Sequence, residues 1–190
     1  MTHVVSTSIL SRNKQDSVKF WQIGGLILII RKATIGDLPA ILDIYNEAIV
    51  NLTATFDLVE QTLEQREQWF YKFGEQYPLI VAEDNGEIAG YCGISPYNPK
   101  EAYAKTVEIS IYLSDKHRGK GIGNALMKDI IEQSKELGYH TIIAGITEGN
   151  DASVHLHEKY GFKFAGKLRE VGFKFGEWQN VLYLQLLLAE

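Results

Sequence analysis

The tripeptide Asp84-Asn85-Gly86 constrains the architecture of this chain more than any other local signal. It lies between the apolar runs 78–83 and 87–94 and reads as a two-residue hairpin turn. Asn and Gly tolerate the positive φ angles that such turns demand. Two neighbouring strands in the middle of the chain must therefore be antiparallel. A doubly wound parallel sheet, in which strands and helices alternate throughout, is excluded.

The remaining elements fall around this hairpin. Leu26 to Lys32 reads as the first core strand. Asp37 is placed to cap a helix with Pro39 in its first turn, and Leu38, Ile41, Leu42, Tyr45, Ala48 and Ile49 share one helical face. Thr62 reads as the cap of a second helix that runs to Phe73. A strand over 105–113, a helix from about 121 to 137 ended by Gly138, and a strand over 141–147 follow. A short helix opened around Asn150 and closed by Gly161, then strands over 162–174 and 178–188, complete the order β-α-α-β-β-β-α-β-α-β-β. The class is α+β, a mixed and mostly antiparallel sheet flanked by helices. At 190 residues the chain fits one domain, assigned to 26–190.

Residues 1–25 read as a flexible extension, since Met1 to Lys19 is polar, Ser/Thr-rich and without periodicity. Leu26 to Ile30 is far shorter than the ~20 residues of a membrane helix. Arg31-Lys32 follow it directly and no small-residue cleavage site appears, so a signal peptide does not fit either. A cytoplasmic protein with no membrane partner is expected. The net charge of −5 argues against nucleic acid, which calls for a basic face. Cys92 is the sole cysteine; it excludes an intrachain disulfide or a Cys-based zinc site and reads as a buried strand residue, and no metal is expected.

Lys116-His-Arg-Gly-Lys-Gly-Ile-Gly123 joins the strand over 105–113 to the following helix. Strand, glycine-rich basic turn and helix together make a phosphate cradle, because glycines let main-chain N–H groups turn toward an anion and the helix start adds its free donors. The string lacks the G-x-x-x-x-G-K-[ST] of a Walker A loop and misses the dinucleotide G-x-G-x-x-G pattern by one residue.

Arg118-x-x-Gly121-x-Gly123 resembles the Q/R-x-x-G-x-G/A signature of the GNAT acyl-CoA N-acyltransferase superfamily. Asn150-x-x-Ser153-x-x-Leu156-His157-Glu158-Lys159-x-Gly161-Phe162 is similar to that superfamily's second segment facing coenzyme A. Ile44-Tyr45-Asn46, Thr106-Val107-Glu108 and Gly172-x-Lys174-x-Gly176-x-Trp178 resemble the phosphinothricin and methionine sulfoximine acetyltransferase group. The resemblance runs from about Ile30 to Leu188. It implies a GNAT-like fold, acetyl-CoA as co-substrate, a small amino-acid-like amine as acceptor, and a homodimer.

It also implies roles. The N–H groups of Gly119, Lys120, Gly121, Ile122, Gly123 and Asn124 would meet the pyrophosphate, with Arg118 and Lys120 adding charge. Pantetheine would run along Ile111, Tyr112 and Leu113 through their main chain. Asn150 either bonds pantetheine or simply caps a helix, and Lys159 either approaches the adenine end or is solvated. Glu108 matches the proposed general base; a carboxylate is unusual between Val107 and Ile109, and partial burial would raise its pKa toward the working range. His157 stands where many relatives carry a tyrosine that protonates the departing thiolate, and either does so or only packs. The oxyanion would meet a main-chain N–H of strand 105–113. Thr53 to Phe56, Trp69, Tyr97, Lys100, Glu101, Ala102 and Tyr103 are expected to frame the acceptor, the aromatics among them either enclosing a short side chain or simply packing in the core and loops. Relatives often carry arginines where this chain has Asn98 and Lys100, which weakens the expectation for phosphinothricin itself. Another amine, such as a polyamine or a peptide N-terminus, and a non-catalytic acyl-CoA sensor are the alternative readings.

Overall fold

The computed structural model describes residues 5–7, 18–23 and 26–188. Its strands are β1 (Val5–Thr7), β2 (Lys19–Ile23), β3 (Leu26–Lys32), β4 (Leu79–Asp84) and β5 (Glu87–Pro96), then β6 (Thr106–Leu113), β7 (Thr141–Thr147), β8 (Lys163–Lys174) and β9 (Glu177–Leu187). Helices α1 (Leu38–Asn51), α2 (Leu63–Phe70), α3 (Ile122–Glu136) and α4 (Asp151–Lys159) lie between them. All the strands belong to one sheet in the order β1-β2-β3-β4-β5-β6-β7-β9-β8. Every neighbouring pair is antiparallel except β6 and β7. The β4–β5 turn has Asn85 at φ 49° and Gly86 at φ 83°, as the hairpin signal requires.

Alternation along the strands gives the sheet two apolar faces. Val107, Ile109, Ile142, Ala144 and Ile146 pack with Ile122, Leu126 and Ile130 of α3. The opposite face packs Leu79, Val81 and Tyr91 against Leu38, Ile41 and Ile44 of α1, with Trp69 and Phe70 of α2 alongside. Leu126 is fully buried, and truncating such a side chain to alanine typically costs about 2–5 kcal/mol. Cys92 is fully buried as expected, and burial pushes its thiol pKa well up.

Three local readings change. Asp37 does not cap α1 through its side chain. Its carboxylate turns back to accept from Thr34 N at 2.7 Å and from the Arg31 guanidinium at 2.7 and 2.8 Å, closing a 3-10 turn over Ile35–Asp37 ahead of the helix. Thr62 does cap α2, with Thr62 and Gln65 bonding reciprocally, but the helix stops at Phe70. There Lys72 N bonds Trp69 O and Phe73 N bonds Phe70 O, which tightens the last turn away from α-geometry. Lys19–Ile23 falls within the stretch expected to be flexible, yet it pairs with β3 as strand β2. Trp21 anchors it, 5% exposed, and Lys19 reaches Asp129 and Glu132 of α3. Phe20-Trp21-Gln22-Ile23 is too short an apolar run to show a period. The other residues of that stretch, 1–4, 8–17, 24 and 25, lie outside the described residues.

β6 bonds β5 along its whole length, from Val107 opposite Pro96 to Leu113 opposite Gly90. It pairs with β7 only over Thr106, Val107 and Glu108. Beyond Glu108 the two parallel strands splay apart.

Candidate active site

The splay leaves main-chain groups without a strand partner. Ser114 N donates to Ala89 O, and Thr106 O accepts from Tyr97 N, so the even-numbered residues of β6 turn their main chain toward β5. Thr141 N bonds Lys105 O on the other side. By the two-residue repeat, Ile109 N–H makes the last bond to β7, and Ile109 C=O with the N–H and C=O groups of Ile111 and Leu113 faces the gap where pairing has ended. A cleft of about 390 Å³ opens beside them, lined by Ile111, Leu113, Arg118, Gly119, Asn150 and Ser153 among others. An extended chain of amides and methylenes fits that edge as an added strand. Tyr112 departs from its expected main-chain role because its parity turns it to β5. Its hydroxyl instead bonds Ala54 O at 3.3 Å.

The glycine-rich turn stands at the outer end of this cleft. Gly119 and Gly121 take φ 74° and 83°, and Gly121 is the residue from which α3 starts. The N–H groups of Gly119 to Gly123 bond no carbonyl among the described residues, whereas Asn124 N bonds Gly121 O. Free donors in a left-handed turn at a helix start suit a pyrophosphate. Of the charged neighbours, Lys116 pairs with Glu87 at 2.6 Å and Arg118 with Asp115 at 3.2 Å, both at exposed positions where such pairs are weak and exchangeable. Lys120 is exposed. A second hollow beside the turn is lined by Gly121, Ile122, Gly123, Asn124 and Lys159. Lys159 Nζ donates to Asn124 Oδ1 at 2.6 Å, which keeps its charge at this end.

Glu108 occupies the last paired rung before the splay, opposite Ile143. Its carboxyl group is half-buried, and loss of solvent raises its pKa above the usual carboxylate range. Gly145 lies beside it: a Cβ there would make ordinary contact at 3.7 Å with both Glu108 Oε1 and Tyr183 Cε1. Tyr183, on β9 opposite Gly145, thus flanks the carboxylate, and Glu108 and Tyr97 together raise the pKa of its phenol beyond what burial does. Neither Gly145 nor Tyr183 stands out in the sequence. Gly145 interrupts an otherwise branched strand, which was the only available signal.

His157 lines a small hollow between β6 and β7 together with Ser110, Gly145 and Asn150. It is 2% exposed, and its Nδ1 lies 2.8 Å from Ser153 O. A carbonyl only accepts, so Nδ1 carries the proton and Nε2 holds a lone pair. Burial lowers the ring's pKa, so it is neutral at pH 7. Asn150 is the cap of α4 and also lines the cleft. Its Oδ1 accepts from Ser153 N at 3.3 Å as the cap of α4, leaving its amide N–H groups to the cleft it lines.

On the acceptor side the placements are looser. Phe56 is 36% exposed and its ring lies on Gly172. Tyr97 and Tyr103 meet edge-on at 5.7 Å, and Glu101, Ala102 and Tyr103 form an exposed 3-10 turn. Asn98 Oδ1 accepts from Lys100 N at 3.1 Å, so it shapes its own loop. Trp69 sits inside, 4.3 Å from the Arg66 guanidinium and edge-on to Tyr91, as part of the core. Among the described residues no cluster of His, Cys, Asp or Glu could hold a metal ion, and no helix is long and apolar enough to cross a membrane.

The acetyltransferase (GNAT) domain family matches residues 30–182. The chain belongs to this family. It is 42% identical over 159 residues to an L-methionine sulfoximine/L-methionine sulfone acetyltransferase of Pseudomonas aeruginosa, covering 83% of this chain and 92% of the relative. Against the phosphinothricin N-acetyltransferase of Streptomyces viridochromogenes it is 35% identical over 156 residues, 82% and 85% of the two chains. The crystal structure of a GNAT superfamily phosphinothricin acetyltransferase from Sinorhizobium meliloti in complex with acetyl-CoA superposes with a TM-score of 0.82 at 35% identity. The match covers 85% of this chain and 89% of that one. This GNAT protein is an acetyl-CoA-dependent N-acetyltransferase. The free edge of β6 and the unbonded donors of Gly119 to Gly123 fit that co-substrate.

Proposed function

We propose that the enzyme acetylates the amine of small amino-acid-like acceptors of the methionine sulfone, methionine sulfoximine and phosphinothricin type, with Glu108 as general base. The observation that carries this reading is the position of Glu108. Its half-buried carboxylate, pKa raised, stands at the rung where β6 leaves β7. Bound acetyl-CoA supplies an activated acyl group. The protein then has to deprotonate an amine whose pKa resembles the ~10.4 of a lysine side chain. Glu108 does this directly or through one water, because its burial brings its basicity toward neutrality. Ile109 N–H closes the last rung of the β6–β7 ladder, so the N–H of Ile111, the next to face the cleft, is the donor best placed to meet a developing oxyanion. His157, which lines the small hollow, is neutral with a lone pair at Nε2 and so offers an acceptor there rather than a proton. The proton for the departing thiolate then comes from the nitrogen of the adduct, which becomes cationic once the deprotonated amine has added, or from water.

The relatives that act on methionine sulfoximine and phosphinothricin support the acceptor class. Within it, Asn98 and Lys100 favour methionine sulfone over phosphinothricin, since Lys100 offers one point charge where an arginine would grip an anion with two parallel bonds. We assign the enzyme to the cytoplasm and to a homodimer. The β8–β9 hairpin supports the latter, exposing Val171, Phe173, Phe175 and Trp178, each at least half exposed. A thiol-release assay over a panel of amines tests the reading. Amine-dependent CoA release with methionine sulfone above that with phosphinothricin is expected. Turnover confined to polyamines or peptide N-termini would overturn it.

A further inference from the structure

Two residues of the motif Gly172-x-Lys174-x-Gly176-x-Trp178 touch neither Glu108 nor the cleft, yet both hold the loop that follows α1. Three consecutive carbonyls of that loop are bonded by side chains from three strands. Thr147 Oγ1 of β7 donates to Thr53 O at 2.6 Å, the Tyr112 hydroxyl of β6 to Ala54 O at 3.3 Å, and Lys174 Nζ of β8 to Thr55 O at 2.8 Å. The next residue, Phe56, lays its ring on Gly172, where a Cβ would come within 2.6 Å of Phe56 Cδ2. From the other side Tyr45 of α1 bonds both Thr55 Oγ1 and Asp57 Oδ2 at 2.9 Å.

Lys174 is 2% exposed. Burying an ammonium is costly, and packing alone would be served better by an apolar chain of the same length. The one hydrogen bond it makes among the described residues goes to the loop. Ala54, at the centre of the bonded carbonyls, lines the cleft along β6 and also the smaller hollow shared with Gly145 and His157. A displaced loop therefore moves the wall facing Ile111 and Asn150. By alternation from Gly145, Thr147 points to the face of the sheet on which the Glu108 carboxylate lies, so the clamp acts on the acceptor's side.

We infer that Gly172 and Lys174 are positioning residues for the acceptor amine, fixing the Thr53–Phe56 loop against the sheet so that the acceptor is held in line with Glu108. The inference rests on the acceptor reading given above, and two measurements keep them separable. The first compares Lys174→Met and Gly172→Ala with wild type in steady-state kinetics on methionine sulfone and acetyl-CoA. The Met variant keeps the length of the side chain and loses the donor; the Ala variant lifts the Phe56 ring. In both, the KM for the acceptor should rise about tenfold or more, as for loss of a hydrogen bond to a charged group, while the KM for acetyl-CoA, whose cleft Ala54 also lines, should rise several-fold less. Lys174→Met should melt no lower than wild type. An unchanged acceptor KM, or equal changes in both constants, would overturn the inference. The second measures amide hydrogen exchange over 52–57 and over 106–113 and needs no acceptor. Faster exchange in the loop alone supports the clamp, and unchanged exchange there overturns it. Absence of wild-type turnover with the whole sulfone and phosphinothricin panel would remove the acceptor reading, leaving exchange to decide the clamp.

Discussion

The two halves of this active site are built on different principles. The donor half is made of main chain: the free edge of Ile111 and Leu113 and the unbonded N–H groups of Gly119 to Gly123. It comes from one continuous stretch plus the start of α4. The acceptor half is made of side chains and loops from distant segments, with Phe56 on Gly172, Tyr97 beside Tyr103, and Lys174 on Thr55 O. Main-chain recognition tolerates side-chain change, so the donor half can stay fixed while the acceptor half varies. Glu108 stands on the boundary and belongs to both.

The largest effect should come from that boundary. Glu108→Gln keeps the shape and removes the base, so kcat at neutral pH should fall at least about tenfold with acetyl-CoA affinity unchanged. In wild type, kcat/KM should fall as pH drops through the raised pKa of Glu108, and the variant should lack that limb. Near-wild-type turnover by the variant would take Glu108 out of the mechanism. Within the donor half, a proline scan separates the two edges of β6. Ile111→Pro removes only a cleft-facing donor and should weaken acetyl-CoA binding about tenfold with a small change in melting temperature. Tyr112→Pro removes a ladder bond to β5 and should chiefly cost stability. If both variants behave alike, the main-chain reading of the donor half fails.

This difference also explains what could be read in advance. Strand boundaries, the hairpin turns at Gly86 and Gly176, and the glycine-rich turn follow from local chemistry, whereas Ile111 and Leu113, which line the cleft with Arg118 and Gly119, are singled out through the family resemblance. Tyr183 and Gly145 could not be found this way. Gly145 approaches Glu108 through the β6–β7 pairing and Tyr183 through the β7–β9 pairing, each between segments about forty residues apart. Lys174 was visible as part of a motif, but its partner is a carbonyl more than a hundred residues away. Strand β2 was missed for the opposite reason, an apolar run too short to show a period.

A smaller effect should separate the acceptors. Lys100 is exposed and its loop is shaped by Asn98, so Lys100→Arg should not disturb the fold. A bidentate fork should raise kcat/KM for phosphinothricin a few-fold, about threefold to tenfold, and change methionine sulfone turnover less. Equal change on both substrates would place residue 100 outside the acceptor half.

The smallest effect concerns His157, which the sequence offered as acid or as packing. Its Nδ1–H is committed to Ser153 O, its ring meets Phe162 edge-on at 4.9 Å, and burial lowers its pKa. Because the folded pKa lies below the unfolded one, the unfolded chain binds the extra proton first as pH falls. The stability contributed by the neutral ring is therefore complete above the ordinary imidazole range near 6.5 and is lost progressively below it. His157→Phe keeps the ring contact and removes that proton. Its melting temperature should lie a few degrees (about 2–4 °C) below wild type at pH 7.5, with the gap narrowing at pH 5. Turnover should stay within about tenfold of wild type, because a ring neutral at pH 7 was not supplying the proton. A loss of about a hundredfold in kcat at unchanged acetyl-CoA affinity would mean that the ring is protonated during the reaction. In that case bound ligands, rather than burial alone, set its charge.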